Sequence, residues 1–286
     1  MSNPIRAILD RTFPGPARRR WSLDNSLGSA YRVGQRLLHN KLRLHETEVK
    51  IIADSQLYWD RVSQGNEGGN AHWRGNGMFK NDDKRWLAIG KNNLDIFHRL
   101  AGERWLAQRP RRIIDWGAGG GANAVRFGRN AERYYAVDIT QASLDECCRQ
   151  MVIADIHNFT PVLIRAHEPE HVRDLIRETC DLMLSTYVYE LFPSKQYGYR
   201  VLRTTNHLLA TGGLAFIQIK YSDLTSKTDS YRWGYARNMA NMTTYRIEEF
   251  WTGAEEIGLR PRAVILEPQQ PLVQDRRYAY FLLEKV

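Results

Sequence analysis

The chain has 286 residues, of which 43% are hydrophobic and 26% are charged. This apolar content excludes an intrinsically disordered chain and is sufficient for a large core in one domain or in a domain with a cap. The 41 basic and 32 acidic side chains leave a formal net charge of +9, which is compatible with contact to a polyanion, although we favour basic side chains spread over a soluble surface.

The cysteine count and the hydropathy indicate the cellular compartment in which the protein is expected. The three cysteines, Cys147, Cys148 and Cys180, form no C-x-x-C pair and no disulfide framework. No apolar run approaches the length of about 18 residues that a membrane span needs, and the N-terminus has no apolar leader. The sequence therefore predicts a cytoplasmic protein with no membrane partner.

The first third of the chain is predicted to be a helical lead-in followed by a loop. Apolar positions over 31–49 have helical spacing. The stretch 54–79 is polar and glycine-rich yet contains Trp59, Trp73 and Phe79, a composition that is typical of a lid or binding loop and not of disorder; a packed surface loop with buried tryptophans is the alternative. A helix with a broad apolar stripe is expected over 84–101.

A strand, a tight turn and a helix are predicted over 111–124, where Ile113-Ile114-Asp115-Trp116 runs into Gly117-Ala118-Gly119-Gly120-Gly121. Glycines are expected in such a turn because it needs backbone angles that other residues resist, and because a ligand approaches the bare main chain. A second short strand ends at Asp138, close to the spacing of about 20 residues at which an acid binds a ribose. These features predict a site for a nucleotide-type cofactor.

The position of Asp115 favours one such cofactor. A pyrophosphate is disfavoured by a nearby carboxylate, whereas the cationic ammonium and sulfonium of S-adenosylmethionine are favoured by it. The motif 113–121 resembles the first motif of the class I S-adenosylmethionine-dependent methyltransferases, and Val137-Asp138-Ile139 resembles the ribose-binding strand end of that family. The resemblance covers 111–286 and implies a Rossmann-like α/β sheet, mostly parallel, with helices on both faces.

Further elements follow in the order that this family implies. Strands are predicted over 160–165, 181–186 and 214–219, and helices over 143–154, 172–177 and 195–210. Two closely spaced strands, 262–266 and 278–283, predict the antiparallel C-terminal hairpin of the methyltransferase sheet. We expect residues 1–108 to form a helical and loop cap and residues 109–286 to form the catalytic domain.

The resemblance also implies the residues of the site. The cofactor-binding residues predicted in this way are Asp115, Gly117, Ala118, Gly119, Gly121, Asp138, Ile139, Ser185 and Tyr187. The lid 54–79 and a second aromatic segment, 221–245, are placed over the acceptor. The predicted substrate-binding residues are Trp59, Trp73, Tyr189, Tyr231 and Trp233.

The acid that usually follows the third strand and meets the adenine is replaced here by Ala166-His167-Glu168, which leaves that contact open between Glu168 and a backbone amide. Glu190 and His72 are the favoured candidates for a general base, which an oxygen acceptor needs. No metal site is predicted, because no cluster of ligands has metal spacing.

Three functions fit these residues. The leading hypothesis is methylation of a hydroxyl group on a small molecule, a sugar or a secondary metabolite, since aromatic lids suit rings. A methyltransferase that acts on RNA or protein is the second, and a non-catalytic protein that keeps the cofactor pocket is the third. The absence of an Asn/Asp-Pro-Pro-Tyr motif after the fourth strand argues against methylation of nucleobase amino groups.

Overall fold

The computed structural model describes residues 34–35, 37–42, 44–63, 79, 82–108, 111–223, 225 and 228–286. The chain divides into two compact units, residues 1–43 and 44–286. Residues 34–35 and 37–42 of the first unit are helical. The rest of this section concerns the second unit.

The second unit is built on a seven-stranded sheet with the strand order β3-β2-β1-β4-β5-β7-β6. The strands are β1 (Arg112–Trp116), β2 (Arg133–Asp138), β3 (Phe159–Leu163), β4 (Cys180–Ser185), β5 (Leu209–Lys220), β6 (Leu259–Gln270) and β7 (Asp275–Lys285). The first five strands run parallel, and β7 pairs antiparallel with both β5 and β6. The predicted mostly parallel sheet with an antiparallel C-terminal hairpin is confirmed.

Eight helices belong to the described part of this unit. They are α1 (Glu48–Ser63), α2 (Asp83–Gln108), α3 (Ala124–Phe127), α4 (Gln141–Ile153), α5 (Val172–Leu175), α6 (Lys195–Leu208), α7 (Tyr235–Asn238) and α8 (Ile247–Glu256). Three separate groups of buried apolar side chains form the core of the described part. One contains Phe97 of α2 and Leu144 of α4, the second contains Val201 of α6 and Phe250 of α8, and a small third group contains Ile51 of α1. No described helix has the length and hydropathy needed to cross a bilayer.

Two predicted elements differ from the structure. In the helix predicted over 31–49, residues 44–47 are not helical, and the predicted loop 54–79 begins as a helix. The first ten residues of the predicted loop 54–79 are helical and belong to α1. Ile51, Ser55 and Val62 are buried, and these positions lie on one face because they are four and seven residues apart. This buried face, which the polar residues between its members obscure in the sequence, stabilises the helix through tertiary packing.

Candidate functional site

A cleft opens where β1, β2 and β4 end. Gly117 follows β1, Asp138 ends β2 and Thr186 follows β4, and all three line the cleft. The carboxyl ends of parallel strands meet at the same edge of an open sheet, which is where ligands bind in such folds. The cleft encloses about 1150 Å³ of space, a volume that includes open solvent at its mouth.

The glycine turn forms one wall of this cleft. Gly117, Gly119 and Gly121 all have positive φ, at 76°, 51° and 91°, where glycine carries no steric cost. A Cβ at Gly117 would lie 2.4 Å from Cγ2 of Val188, whereas a Cβ at Gly119 would meet no atom within 4 Å. The main chain at Gly119 is therefore bare on the side from which a ligand approaches.

Asp138 joins the end of β2 to the glycine turn. Its Oδ2 accepts a hydrogen bond from the Gly119 amide at 2.9 Å, and its Oδ1 accepts one from the Thr140 amide at 3.1 Å. Burial raises the pKa of the Asp138 carboxyl, and the hydrogen bonds from the two amides oppose that rise. Among the described residues that line the cleft, Asp138 is the single charged side chain.

Asp115 lies beneath the turn and is fully buried. Its Oδ2 accepts a hydrogen bond from the Tyr134 hydroxyl at 2.7 Å. Burial raises the pKa of Asp115 to about 6, against the lowering effect of hydrogen bonds from Tyr134 and Asn123. Asp115 thus acts on the turn from the core side.

A buried polar network connects α2 to two parts of the cleft wall. The Asn93 side-chain amide of α2 donates to Oδ1 of Asn123 at 2.9 Å and to Oγ1 of Thr186 at 3.1 Å. Asn123 also donates to Thr186 at 3.0 Å. Both Asn123 and Thr186 line the cleft, so Asn93 holds the start of α3 and the end of β4 in a common position.

Replacing Asn93 by alanine is expected to lower the free energy of unfolding by about 2–3 kcal/mol, because two buried polar groups lose a partner and a small cavity remains. Denaturant titration of the purified protein measures the change. Lys91→Ala on the same helix is the matched control: it removes an exposed ion pair with Asp95 at 2.6 Å, which is worth well under about 1 kcal/mol. Equal stabilities of the two variants would contradict the role given to Asn93.

Aromatic side chains form another part of the cleft wall. Trp59 of α1 and Tyr235 of α7 both line it, and the Trp59 indole donates a hydrogen bond to the Tyr235 hydroxyl at 2.9 Å. Phe192 and Tyr197 line the cleft beyond β4, and the Tyr197 hydroxyl is occupied by a bond to the Ala166 carbonyl at 2.6 Å. The cleft therefore has a polar end at Asp138 and a set of aromatic side chains, which reaches the region after β3 through Tyr197.

The charge of the cleft distinguishes between nucleotide cofactors. Among its described lining residues there is no lysine or arginine, and a pyrophosphate site normally supplies positive charge or a helix N-terminus. Ile139, Ile164 and Ala166 offer an apolar surface beside Asp138. An adenosyl group with a cationic tail fits these residues.

Comparison with protein families decides the identity. The model of the methyltransferase domain family matches residues 84–264, a range that contains α2, the glycine turn and β1 to β5. The chain is a class I S-adenosylmethionine-dependent methyltransferase. Its cofactor is S-adenosylmethionine.

Solved structures of other methyltransferases share this fold. The methyltransferase resembles magnesium protoporphyrin IX methyltransferase from Synechocystis PCC 6803 with bound S-adenosylhomocysteine, at a TM-score of 0.57 and 10% identity over 82% of this chain and 100% of that chain. It also resembles N-methyltransferase NodS from Bradyrhizobium japonicum WM9 in complex with S-adenosylhomocysteine, at a TM-score of 0.51 and 14% identity over 73% and 91%. At these identities the likeness shows the fold alone. Among curated protein sequences, none matches the chain.

The predicted cofactor residues of the methyltransferase fall into two groups. Gly117, Ala118, Gly119, Asp138, Ile139 and Tyr187 line the cleft. Asp115, Gly121 and Ser185 lie behind it: Gly121 packs against Cys147, and the Ser185 hydroxyl donates to the Trp116 carbonyl at 3.2 Å. For these three the geometry favours a supporting role under the turn over direct contact with the cofactor.

The predicted substrate residues divide in the same way. Trp59 lines the cleft. Tyr189 is fully buried and packs on Phe192 with ring centroids 4.8 Å apart, Tyr231 is buried away from the cleft, and Trp233 is 42% exposed on the outside. These three residues are not among those that line the cleft, so their predicted roles in substrate binding lack support from the geometry. Trp73 lies outside the described residues.

Of the two predicted general bases, only Glu190 lies in the described part of the chain, and it does not line the cleft. His72 lies outside the described residues. Glu190 lies in the short 3-10 turn Tyr189–Leu191 and is 2% exposed. Its Oε2 has no hydrogen-bond partner among the described residues, and burial raises its pKa to about 8. Its neighbour Leu191 lines the cleft, so Glu190 lies just behind the wall.

In the region after β3, where the adenine contact is expected, apolar residues line the cleft. Ile164 and Ala166 line the cleft. Glu168 forms an ion pair with Arg165 at 3.2 Å and is not among the lining residues. No group of three or more histidine, cysteine or acidic side chains that is suited to a metal ion occurs in the described residues.

The sequence did not predict four residues of the site, which are Asn93, Asn123, Thr186 and Tyr235. Asn93 carries no motif, and a lone polar residue in an apolar helix gives no signal of its partner. Ile52, Ser55 and Trp59 of α1, which line the cleft together, have spacings of three, four and seven residues, and a search for helical periodicity across the predicted lid boundary finds them.

Proposed function

We propose that this methyltransferase transfers a methyl group to a hydroxyl of a small molecule, a sugar or a secondary metabolite. The observation that carries the proposal is the set of aromatic side chains that line the cleft, Trp59, Phe192, Tyr197 and Tyr235, which offer flat surfaces that suit rings. The absence of basic side chains among the described lining residues disfavours a phosphate-bearing acceptor such as RNA.

We assign the polar end of the cleft to the cofactor. Asp138 accepts hydrogen bonds from the ribose hydroxyls, the backbone at Gly119 lies against the cofactor, and Ile139, Ile164 and Ala166 contact the adenine. When bound, S-adenosylmethionine would supply a methyl group to the acceptor: the bond from the methyl carbon to the acceptor forms in line with the C–S bond that breaks, and S-adenosylhomocysteine leaves, so the positioning of the two partners provides much of the rate. The cleft-lining residues after β4, which are 186–188 and 191–193, then face the acceptor.

A hydroxyl acceptor must lose its proton, and Glu190 is the group that we propose to take it, with His72 as the alternative. Buried carboxyl groups with a raised pKa are typical general acids and bases near neutral pH. Glu190 precedes the cleft-lining Leu191 and has a free Oε2.

Replacing Glu190 by glutamine is therefore expected to lower kcat by about 10²-fold. In the wild type kcat should rise as the pH rises through about 8, where Glu190 loses its proton, and this rise should be absent in Glu190→Gln. Rates of both proteins, measured from pH 6 to 10 with the acceptor that the labelling experiment identifies, test this prediction. An unchanged rate and pH profile in Glu190→Gln would transfer the role of base to His72 or remove it.

The raised pKa of Glu190 also predicts how the free energy of unfolding changes with pH. A carboxyl group with a folded pKa of about 8 and an ordinary value of 4.5 favours the folded state fully below pH 4.5, and this contribution is lost as the pH rises to about 8. The free energy of unfolding of the wild type should therefore fall over this window by more than that of Glu190→Gln. Denaturant titrations at pH 5 and pH 8.5 compare the two slopes, and parallel slopes would show that Glu190 is not buried as a titrating group.

The substrate class is tested by incubating the purified enzyme with S-adenosylmethionine carrying a ¹³C and tritium label in its methyl group and a cell extract separated into small-molecule, RNA and protein fractions. We expect tritium in the small-molecule fraction and a methoxy ¹³C signal in the product. Label confined to RNA or protein would overturn the small-molecule acceptor, and an N-methyl signal would overturn the hydroxyl acceptor. The same reaction with Asp138→Ala controls for label that arises without the enzyme.

A further inference from the structure

The aromatic pair Trp59 and Tyr235 has a defined hydrogen-bond direction. An indole N–H is only a donor, so at 2.9 Å the Tyr235 oxygen must be the acceptor. The tyrosine proton is then available for another partner, and no described residue accepts it. Tyr235 is 2% exposed, and burial raises the pKa of its hydroxyl well above the usual value, so the group remains protonated. A donor with no acceptor among the described residues thus lies on the cleft wall.

The position of this hydroxyl is rigid. Tyr235 packs with Ile51, Met239, Met242 and Leu191, and the ring of Tyr58 lies edge-on at 6.0 Å. Two further hydrogen bonds connect the chain before Tyr235 to the segment before α1: the Glu46 amide donates to the Arg232 carbonyl and the Gly234 amide donates to the Glu46 carboxylate, each at 2.9 Å. A hydrogen bond from a group held in this way costs little conformational entropy on binding.

A buried donor without a partner is costly unless a ligand supplies the acceptor. Leu191, which packs on Tyr235, belongs to the segment after β4 that we assign to the acceptor side. We propose that the Tyr235 hydroxyl, oriented by Trp59, donates a hydrogen bond to an oxygen substituent of an uncharged, planar aromatic acceptor. This inference rests on the proposed small-molecule function and narrows its substrate class from ring compounds in general to hydroxylated aromatic rings.

The test uses 2-naphthol and naphthalene as probes, which share a planar ring system and differ by one oxygen. Both are titrated into the full-length protein saturated with S-adenosylhomocysteine, and binding is followed by tryptophan fluorescence. We expect 2-naphthol to bind more tightly than naphthalene to the wild type. Tyr235→Phe should weaken the binding of 2-naphthol about three- to tenfold, the usual value of one hydrogen bond, and leave naphthalene unchanged.

Tyr199→Phe is the matched control, because it also removes one tyrosine hydroxyl, which donates to the Glu249 carbonyl at 3.2 Å outside the cleft. It should alter the binding of neither probe. Equal weakening of both probes in Tyr235→Phe, or equal affinity of the wild type for both, would overturn the role of Tyr235. Binding of S-adenosylhomocysteine without binding of either probe would overturn the aromatic acceptor while leaving a sugar acceptor, and with it the proposed function, intact.

Discussion

Replacing Asp138 by alanine should weaken the binding of S-adenosylmethionine by about 10²- to 10³-fold. Hydrogen bonds to a charged group contribute about 1.5–3 kcal/mol each, and the loss of the two proposed ribose contacts, taken in the lower half of this range, corresponds to this change in the dissociation constant. The Gly119 and Thr140 amides, which Asp138 holds at 2.9 and 3.1 Å, also lose their partner, so the turn is less well ordered before the cofactor arrives. Isothermal titration calorimetry measures the effect directly.

Two variants make this test specific. Asp138→Asn keeps an oxygen that can accept the Gly119 amide but removes the charge, so its affinity should lie between those of the wild type and Asp138→Ala. Asp145→Ala removes an exposed acid of α4 that bonds only to Gln141 among the described residues, and its affinity should equal that of the wild type. Wild-type affinity in Asp138→Ala would remove the ribose contact from the site.

Two glycine-to-alanine substitutions in the turn are expected to impair the protein in different ways. Gly119→Ala should mainly weaken cofactor binding, and Gly117→Ala should mainly lower stability. Gly119→Ala should lower cofactor affinity by at least about 10²-fold with a modest loss of stability of about 1–2 kcal/mol, because the backbone at φ 51° is accessible to alanine at that cost. The new Cβ meets no protein atom within 4 Å and therefore occupies space beside the proposed cofactor.

Gly117→Ala should instead unfold the turn. Its Cβ would lie 2.4 Å from Cγ2 of Val188 at a φ of 76°, and strain together with overpacking should cost about 2–5 kcal/mol of stability. Val188→Ala in the same chain should restore part of this loss because it removes the clashing methyl groups. Thermal melts and titration calorimetry on the set separate the two mechanisms; a Gly119→Ala protein that binds the cofactor normally would show that the bare backbone there is not part of the site.

The sequence alone determined the frame of the molecule and the polar end of its cleft. A glycine turn after an apolar strand is a local signal, because only glycine adopts the positive φ that the turn requires at Gly117 and Gly121 without steric cost. The acid at the end of the next strand follows from the spacing between parallel strands, so Asp138 was placed correctly beside the turn. The closely spaced β6 and β7 likewise predicted the antiparallel end of the sheet.

The tertiary structure decided which side chains of the irregular segments reach the cleft. Tyr189, Glu190 and Leu191 are consecutive in a 3-10 turn, yet only Leu191 lines the cleft. No period in the sequence predicts this difference, because one short turn points neighbouring residues in different directions. Tyr231, Trp233 and Tyr235 lie in one aromatic segment, and the left-handed Gly234 before α7 turns only Tyr235 toward Trp59.

Long-range partners were equally beyond the sequence. Asp115 has the position of a ligand-binding acid, but the Tyr134 hydroxyl from the neighbouring strand draws its carboxylate into the core. Asn93 finds Asn123 and Thr186 across 30 and 93 residues of chain. Such contacts depend on how helices pack on the sheet, and that packing is set by the summed burial of many side chains and not by any local motif.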